Sequence, residues 1–214
     1  MNSKKIILDL CGGTGAWSKP YKDAGYDVRV ITLPDYDVTM TFPFNGMATN
    51  SLKEGKNFPS LHFSGEKVMN ISIEDIHGVL AAPPCTEFSK AKSTAPRDFH
   101  TGMKTIQACM EIIWYIQKHK QLAFWALENP VGLLRRFLGN PPYSFYQWQF
   151  GNDRNKHTDL WGRFNEPKKT HIEKPDYVQK SAHNRNADWY SNSSAAQRAI
   201  TPEGFALAFF NANK

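Results

Sequence analysis

Three short stretches of this sequence combine residue types that can do chemistry: "DLCGGTG" at 9–15, "PPCTEFS" at 83–89 and "ENP" at 128–130. In the second, Cys85 follows two prolines, whose fixed φ and missing amide donors make a stiff support for one thiol. Held there, the sulfur is a candidate nucleophile. The alternative is a small apolar residue in a strand-end turn, as many free cysteines are. The loop that follows carries Lys90, Lys92 and Arg97, cations that would lower the thiol pKa. Glu128 closes the apolar run "LAFWAL". A carboxyl at the inner end of a buried strand should have a raised pKa and serve as a proton donor near neutral pH. Its alternative is to cap the helix read in "PVGLLRRFLG". For that cap Asn129 is the better candidate, with Pro130 in the first position.

The elements that must position these groups are legible in outline. "KKIILDL" reads as a buried strand leading into the glycine loop, "AWSKPYKDAGY" as a helix ending near Gly25, and "DVRVITL" as a second strand. Residues 40–67 read as irregular. "IHGVLAAPP" is another buried strand and "SKAKSTAPRDFHTG" a loop. From Met103 to Lys118, Ile106, Met110, Ile113 and Trp114 recur at helical spacing. "LAFWALENP" is a further strand, "YQWQFG" and "HTDLWGRF" a strand pair, residues 165–197 irregular, and "TPEGFALAFFNAN" a helix capped by Thr201. This alternation predicts an α/β fold with a largely parallel sheet. All three chemical stretches fall at carboxyl ends of strands, where open α/β sheets bind ligands.

At 214 residues the chain is expected to form one domain, residues 1–214. No apolar run approaches a membrane span. The charged start runs straight into the first strand, which places the protein in the cytoplasm. Three cysteines without CxxC spacing argue against a disulfide scaffold or a cysteine zinc site, and no metal is expected. The net charge of +6 favours a polyanionic partner, nucleic acid before membrane. Oligomeric state is open, with a monomer as the default.

Glycines after a strand let the backbone approach a ligand, and the next helix offers its amides. Loops like "CGGTG" bind dinucleotides or S-adenosylmethionine, and also occur as plain tight turns. A cysteine and a glutamic acid together suit a pyrimidine. A thiolate adds to carbon 6 of cytosine while the acid protonates or hydrogen-bonds ring nitrogen 3, and carbon 5 then becomes electron-rich enough to attack an electrophilic methyl group.

With "DLCGGTGAW", "PPCTEFS" and "ENP" in this order, and "RAITPEGFA" near the end, the chain resembles the cytosine-5 DNA methyltransferases over residues 5–162 and 198–210. The resemblance implies a Rossmann-like, doubly wound sheet, S-adenosylmethionine as cofactor and DNA as partner. It makes Cys85 the nucleophile and Glu128 the residue at ring nitrogen 3. Asp9, Leu10, Cys11, Gly12, Gly13, Thr14, Gly15 and Trp17 would line the cofactor, joined by Thr32 at the second strand tip, by Asn70 and Ile71 at its adenine, and by Pro84, which lies beside both ligands. The family's basic base-contact segment corresponds to "RNKHT", which brings Lys156 and Thr158 into the catalytic set. Arg154, Ser89, Lys90 and Asn129 then join the substrate side.

The chain departs from the family pattern in several places. Thr86 stands where the family usually has Gln, Pro130 replaces Val, and the late Asn-containing segment is reduced to "NANK". Only residues 163–197, a short basic stretch with Lys168, Lys169, Lys174, Lys180 and Arg185 among Tyr177, Trp189 and Tyr190, stand where a target-recognition domain is usual. Substrates short of duplex DNA (single strands, RNA, a free cytosine nucleotide), an unusual donated group, and a catalytically silent nucleic-acid binder remain alternatives. Zinc-dependent deamination fits poorly, since no PCxxC ligand pair accompanies Pro84 and Cys85.

Overall fold

Apolar runs with no polar face set the centre of the protein. β1 (Ile6–Leu10) is buried at every position, and β6 (Ile76–Ala81) and β7 (Phe124–Pro130) extend the same sheet. Runs of this kind belong to parallel strands covered on both faces. The computed structural model describes residues 2–43, 59–92, 95–176, 178 and 194–214. Its main sheet has the order β2–β1–β6–β7–β9–β8, with β2 at Asp27–Ile31, β8 at Tyr143–Tyr146 and β9 at His157–Arg163. The first four strands of that order are parallel, and β9 runs antiparallel to both its neighbours. A second sheet joins β3 (Asp37–Pro43), β4 (Ser60–Ser64) and β5 (Val68–Ser72) in antiparallel order.

The helices are α1 (Lys19–Asp23), α2 (Phe99–His119), α3 (Arg135–Leu138), α4 (Ala195–Ala199) and α5 (Glu203–Ala212). Alternate residues of the strands divide between two cores, as the period of two requires. Ile7, Leu80, Phe124, Ala126 and Leu160 pack with Tyr21 of α1 and Phe205 and Phe209 of α5. Leu8, Leu10, Val79, Ala81 and Leu127 pack with Ile106, Cys109, Ile113 and Ile116 of α2. Full burial of each such large side chain is worth about 1.5–3 kcal/mol. With helices on both faces, the fold is the Rossmann-like, doubly wound α/β architecture expected. Among the described residues no helix is long and apolar enough to cross a membrane.

Several local expectations are corrected. Within 40–67, β4 is a regular strand whose Leu61 and Phe63 turn inward; residues 44–58 lie outside the described residues. α2 begins at Phe99 rather than Met103 because the Asp98 carboxylate accepts a hydrogen bond from the Thr101 amide at 2.9 Å. Trp114 is off the buried stripe and exposed. The partner of β9 is "YSFY", while "QWQF" forms a 3-10 turn at Gln147–Phe150. Asn129 and Pro130 complete β7 rather than opening a helix, and α3 begins only at Arg135. At α5, Pro202 takes the cap position expected for Thr201.

The strand order reverses between β1 and β6, because β2 and β6 lie on opposite sides of β1. Ligands bind beyond the carboxyl ends at such a switch point. The antiparallel β7–β9 pairing completes the floor beside it and depends on Gly162, whose φ is +145°. A Cβ there would stand 2.2 Å from the Trp125 carbonyl oxygen. Gly162→Ala is expected to cost about 2 kcal/mol or more in urea unfolding, because the obstacle is backbone and cannot turn aside.

Candidate active site

The tips of β1, β6 and β7 lie side by side, the first two at the switch point. The Ala82 amide donates to Leu10 O at 2.9 Å, tying the end of β6 to that of β1, and the Cys11 amide donates to Ile31 O at 2.7 Å, tying β1 to β2. Asn129, fully buried in β7, donates from Nδ2 to Pro83 O at 3.1 Å. Its side chain thus fastens the double proline to the neighbouring strand.

The sheet register decides which side chains share a face. Glu128 lies opposite Leu160, Pro130 opposite Thr158, and Phe145 opposite Thr158 on the other side. Gln147 continues the ladder, its amide donating to Lys156 O at 3.0 Å. Residues directly opposite point to one face, so Glu128, Lys156, Thr158 and Gln147 converge on a crevice that Thr201 and Phe205 also line. Lys156 Nζ stands 3.9 Å from Glu128 Oε1. Cys85, half-buried at the end of the proline support, feels both charges.

Burial pushes the Cys85 thiol above its ordinary pKa; Lys156 pulls it down and Glu128 lifts it further. Burial likewise raises Glu128, against the pull of Lys156 and with a push from Asp159. The raised carboxyl matches expectation, but the thiol does not. Two of the three loop cations expected to lower it are engaged within their own loop, and the third, Lys90, is exposed. Lys92 Nζ is 2.7 Å from both Glu87 carboxylate oxygens, and Arg97 donates to the carbonyls of Glu87, Ser89 and Lys92. Lys156 is the cation that acts on Cys85.

The other predicted residues are placed as follows. Asp9 is fully buried; one carboxylate oxygen accepts from Ser18 Oγ at 2.5 Å and the other has no partner among the described residues. Burial raises its pKa to about 6. Gly12 lies directly over it, for a Cβ there would stand 2.3 Å from Asp9 Cγ. Asp9 therefore supports the glycine loop from beneath. Cys11, Gly13 and Gly15 have φ of 56°, 55° and 71°, and a Cβ at Gly13 would meet nothing within 4 Å. With exposed Gly13 and Thr14 this is an open turn able to hold a ligand.

Leu10, Trp17 and Ile71 belong to the core, Trp17 packed edge-on to Phe209. Thr32 is half-buried, its carbonyl accepting from the Tyr36 amide at 2.9 Å. Asn70 is exposed in β5, its Oδ1 2.7 Å from His62 Nδ1 across the small sheet. Pro84 and Lys90 are exposed, and Ser89 bridges to Gly132. The half-buried Arg154 has its Nε 3.9 Å from Asp153 Oδ1. Of the short basic stretch, Lys168 and Lys174 are exposed, Lys169 lies over the Tyr143 ring, and Tyr177, Lys180, Arg185, Trp189 and Tyr190 lie outside the described residues.

Sequence reasoning missed two features. Asp159, buried in β9, accepts two hydrogen bonds from Arg135 at 2.7 and 2.6 Å and one from Ser144. Gln147 is buried in the same crevice as Glu128. Neither belongs to a local motif; only strand pairing brings them in.

No protein-family model matches the chain. Over 128 residues it is 26% identical to a curated protein, the type II methyltransferase M.DdeI of Desulfomicrobium norvegicum. The matched stretch is 60% of this chain, and the chain spans only 28% of that relative's length. The similarity to a methyltransferase is thus distant.

Two outcomes are expected. Replacing Lys156 by Met leaves burial and Glu128 to act unopposed, so alkylation of Cys85 by iodoacetamide near neutral pH should slow about tenfold per pKa unit gained. Glu128→Gln should quicken it; peptide mass analysis separates Cys85 from Cys11 and Cys109. At Asp9, a folded pKa above the unfolded value favours folding below about pH 4 and loses that contribution as pH rises toward 6. Asp9→Asn should therefore gain stability relative to wild type, on the order of 3 kcal/mol, between pH 4 and 7 in urea titrations.

Proposed function

We propose that this protein transfers a methyl group from S-adenosylmethionine to carbon 5 of cytosine in DNA. The observation that carries the reading is Lys156 beside Glu128 at the end of β7, with Cys85 on the double-proline support that Asn129 ties to the same strand, and the open glycine turn at the end of β1, on the other side of β6. The similarity to a methyltransferase and the net charge of +6 agree with it.

The turn from Cys11 to Gly15 fits such a cofactor. It is open above Gly13 and is floored by Asp9, whose second carboxylate oxygen is unpartnered among the described residues. Cys11 through Gly15 would hold the cofactor, with Thr32 and Asn70 beyond the neighbouring strands. When bound, S-adenosylmethionine supplies an electrophilic methyl group.

The chain's own residues do the rest. Beside one ammonium, the crevice favours a single negative charge shared between thiol and carboxyl. In the reactive arrangement Cys85 is a thiolate and Glu128 keeps the proton, which burial favours. Cys85 Sγ then bonds to carbon 6 of the base. Glu128 donates its hydrogen bond to ring nitrogen 3, so the electron density pushed into the ring falls on a neutralised atom and carbon 5 becomes nucleophilic. Afterwards the carbon 5 proton leaves to a base and the sulfur–carbon bond breaks, returning the thiolate. In duplex DNA the cytosine must be turned out of the stack to reach Cys85.

Nucleoside mass analysis of DNA from cells expressing the protein, beside a Cys85→Ser control, tests the reading. A cytosine heavier by one methyl group, absent from the control, is expected. A different added mass would transfer the chemistry to another donor. Unchanged cytosine with well-expressed soluble protein would overturn cellular DNA as the substrate, and RNA and free cytosine nucleotides would then be assayed.

A further inference from the structure

The glycine turn carries a thiol that the proposed chemistry does not use. Cys11 opens the turn and Cys109 sits on α2, 98 residues away, yet their Sγ atoms are 4.0 Å apart. Cys109 is fully buried in one of the two cores, and the half-buried Cys11 packs against the same cluster. Cys11 has a φ of 56°, in the left-handed region that residues with a Cβ rarely adopt. The two sulfurs are anchored unequally. Cys109 lies within a 21-residue helix packed on the sheet. The turn is held by the Cys11 amide on Ile31 O at 2.7 Å and the Gly15 amide on Gly12 O at 2.9 Å, with nothing within 4 Å of a Cβ at Gly13. Any contraction between the sulfurs therefore falls on the turn.

A disulfide holds its sulfurs about 2.05 Å apart, so a link here must close the gap by about 2 Å. We infer that Cys11 and Cys109 form a redox switch, in which hydrogen peroxide joins the two sulfurs and the link pulls the glycine turn out of its ligand-holding shape. Cys11 is the sulfur a peroxide reaches, since Cys109 is fully buried. Contact with Cys11 and burial also keep the Cys109 thiol well above its ordinary pKa. The Cys11 sulfur attacks one peroxide oxygen and the O–O bond breaks. The other oxygen leaves as water with the thiol proton, and Cys11 becomes a sulfenic acid. The Cys109 sulfur then attacks the Cys11 sulfur, the S–O bond breaks, and the hydroxyl leaves as a second water with the Cys109 proton. Two thiols and one peroxide thus give one disulfide and two waters, and a dithiol reverses the link by exchange. Gly12, which lies over Asp9, would be carried along with Cys11. That the ligand lost is S-adenosylmethionine rests on the reading above.

The test uses the Cys85→Ser protein, whose remaining cysteines are Cys11 and Cys109, so that the candidate nucleophile consumes no oxidant. One equivalent of hydrogen peroxide should remove two hydrogens from the intact mass and yield a joined Cys11–Cys109 peptide pair in a non-reducing digest. Affinity for S-adenosylmethionine, measured by calorimetry, should fall at least about tenfold, because a displacement of about 1 Å is enough to spoil a fitted site. Dithiothreitol should restore it. Adding Cys109→Ala should abolish both the link and the fall. Absence of the peptide pair from folded protein, a link that leaves affinity unchanged, or an equal fall without Cys109 would overturn the switch and leave the proposed function standing. Reduced protein that does not bind S-adenosylmethionine would overturn the proposed cofactor and the switch together.

Discussion

Burial governs the electrical state of the candidate site, and one cation, Lys156, opposes it. Lys156 lies within 4 Å of the Glu128 carboxylate and acts on Cys85 as well, while burial raises the pKa of both acids. Were the thiol and carboxyl both ionised, the low-dielectric pocket would hold two negative charges against one positive. Were both protonated, Lys156 would be left unbalanced. Burial lifts both groups and Lys156 pulls both back down, so the placement of a proton on one or the other decides whether the sulfur is reactive. Asp159 biases the outcome from the opposite face of β9, because its charge lifts Glu128. Its own charge is matched by Arg135.

That balance depends on backbone placement, and placement comes from the sheet. Adjacent parallel strands bring the tips of β1, β6 and β7 side by side, and the antiparallel return of β9 lays Lys156 and Thr158 beside Glu128. The Asn129–Pro83 hydrogen bond keeps the double proline against β7. Phe88, fully buried, holds the far side of the Cys85 turn, its carbonyl accepting from the Leu133 amide at 2.8 Å. The thiol is thus presented by a frame fixed at both ends, which is what a nucleophile that must meet a flat ring at one angle requires.

The sequence was most readable where chemistry and strand ends coincide. "DLCGGTG", "PPCTEFS" and "ENP" each carry a local signal, and the alternation of strands and helices pointed to the parallel sheet that places them together. What stayed hidden depends on distant partners. Asn129 looked like a helix cap because its true partner, Pro83, is 46 residues away. Lys92 and Arg97 looked like activators of Cys85 because a sequence does not show that Glu87 and three carbonyls engage them first. "YQWQFG" looked like the strand beside β9, whereas "YSFY", which begins three residues earlier, matches its register. Gln147 carried no motif at all. Of the cofactor residues, Leu10, Trp17 and Ile71 have apolar side chains that the two cores claim.

Trapping with a DNA duplex that carries 5-fluorocytosine tests the central claim most directly. Fluorine at carbon 5 cannot leave as the proton does, so a thiol that has added to carbon 6 stays attached after methyl transfer. In the presence of S-adenosylmethionine the account predicts a denaturant-stable protein–DNA adduct, mapped by peptide mass to Cys85 and absent from Cys85→Ser. An adduct mapped to Cys11, or none from folded protein shown to bind both DNA and S-adenosylmethionine, would contradict it.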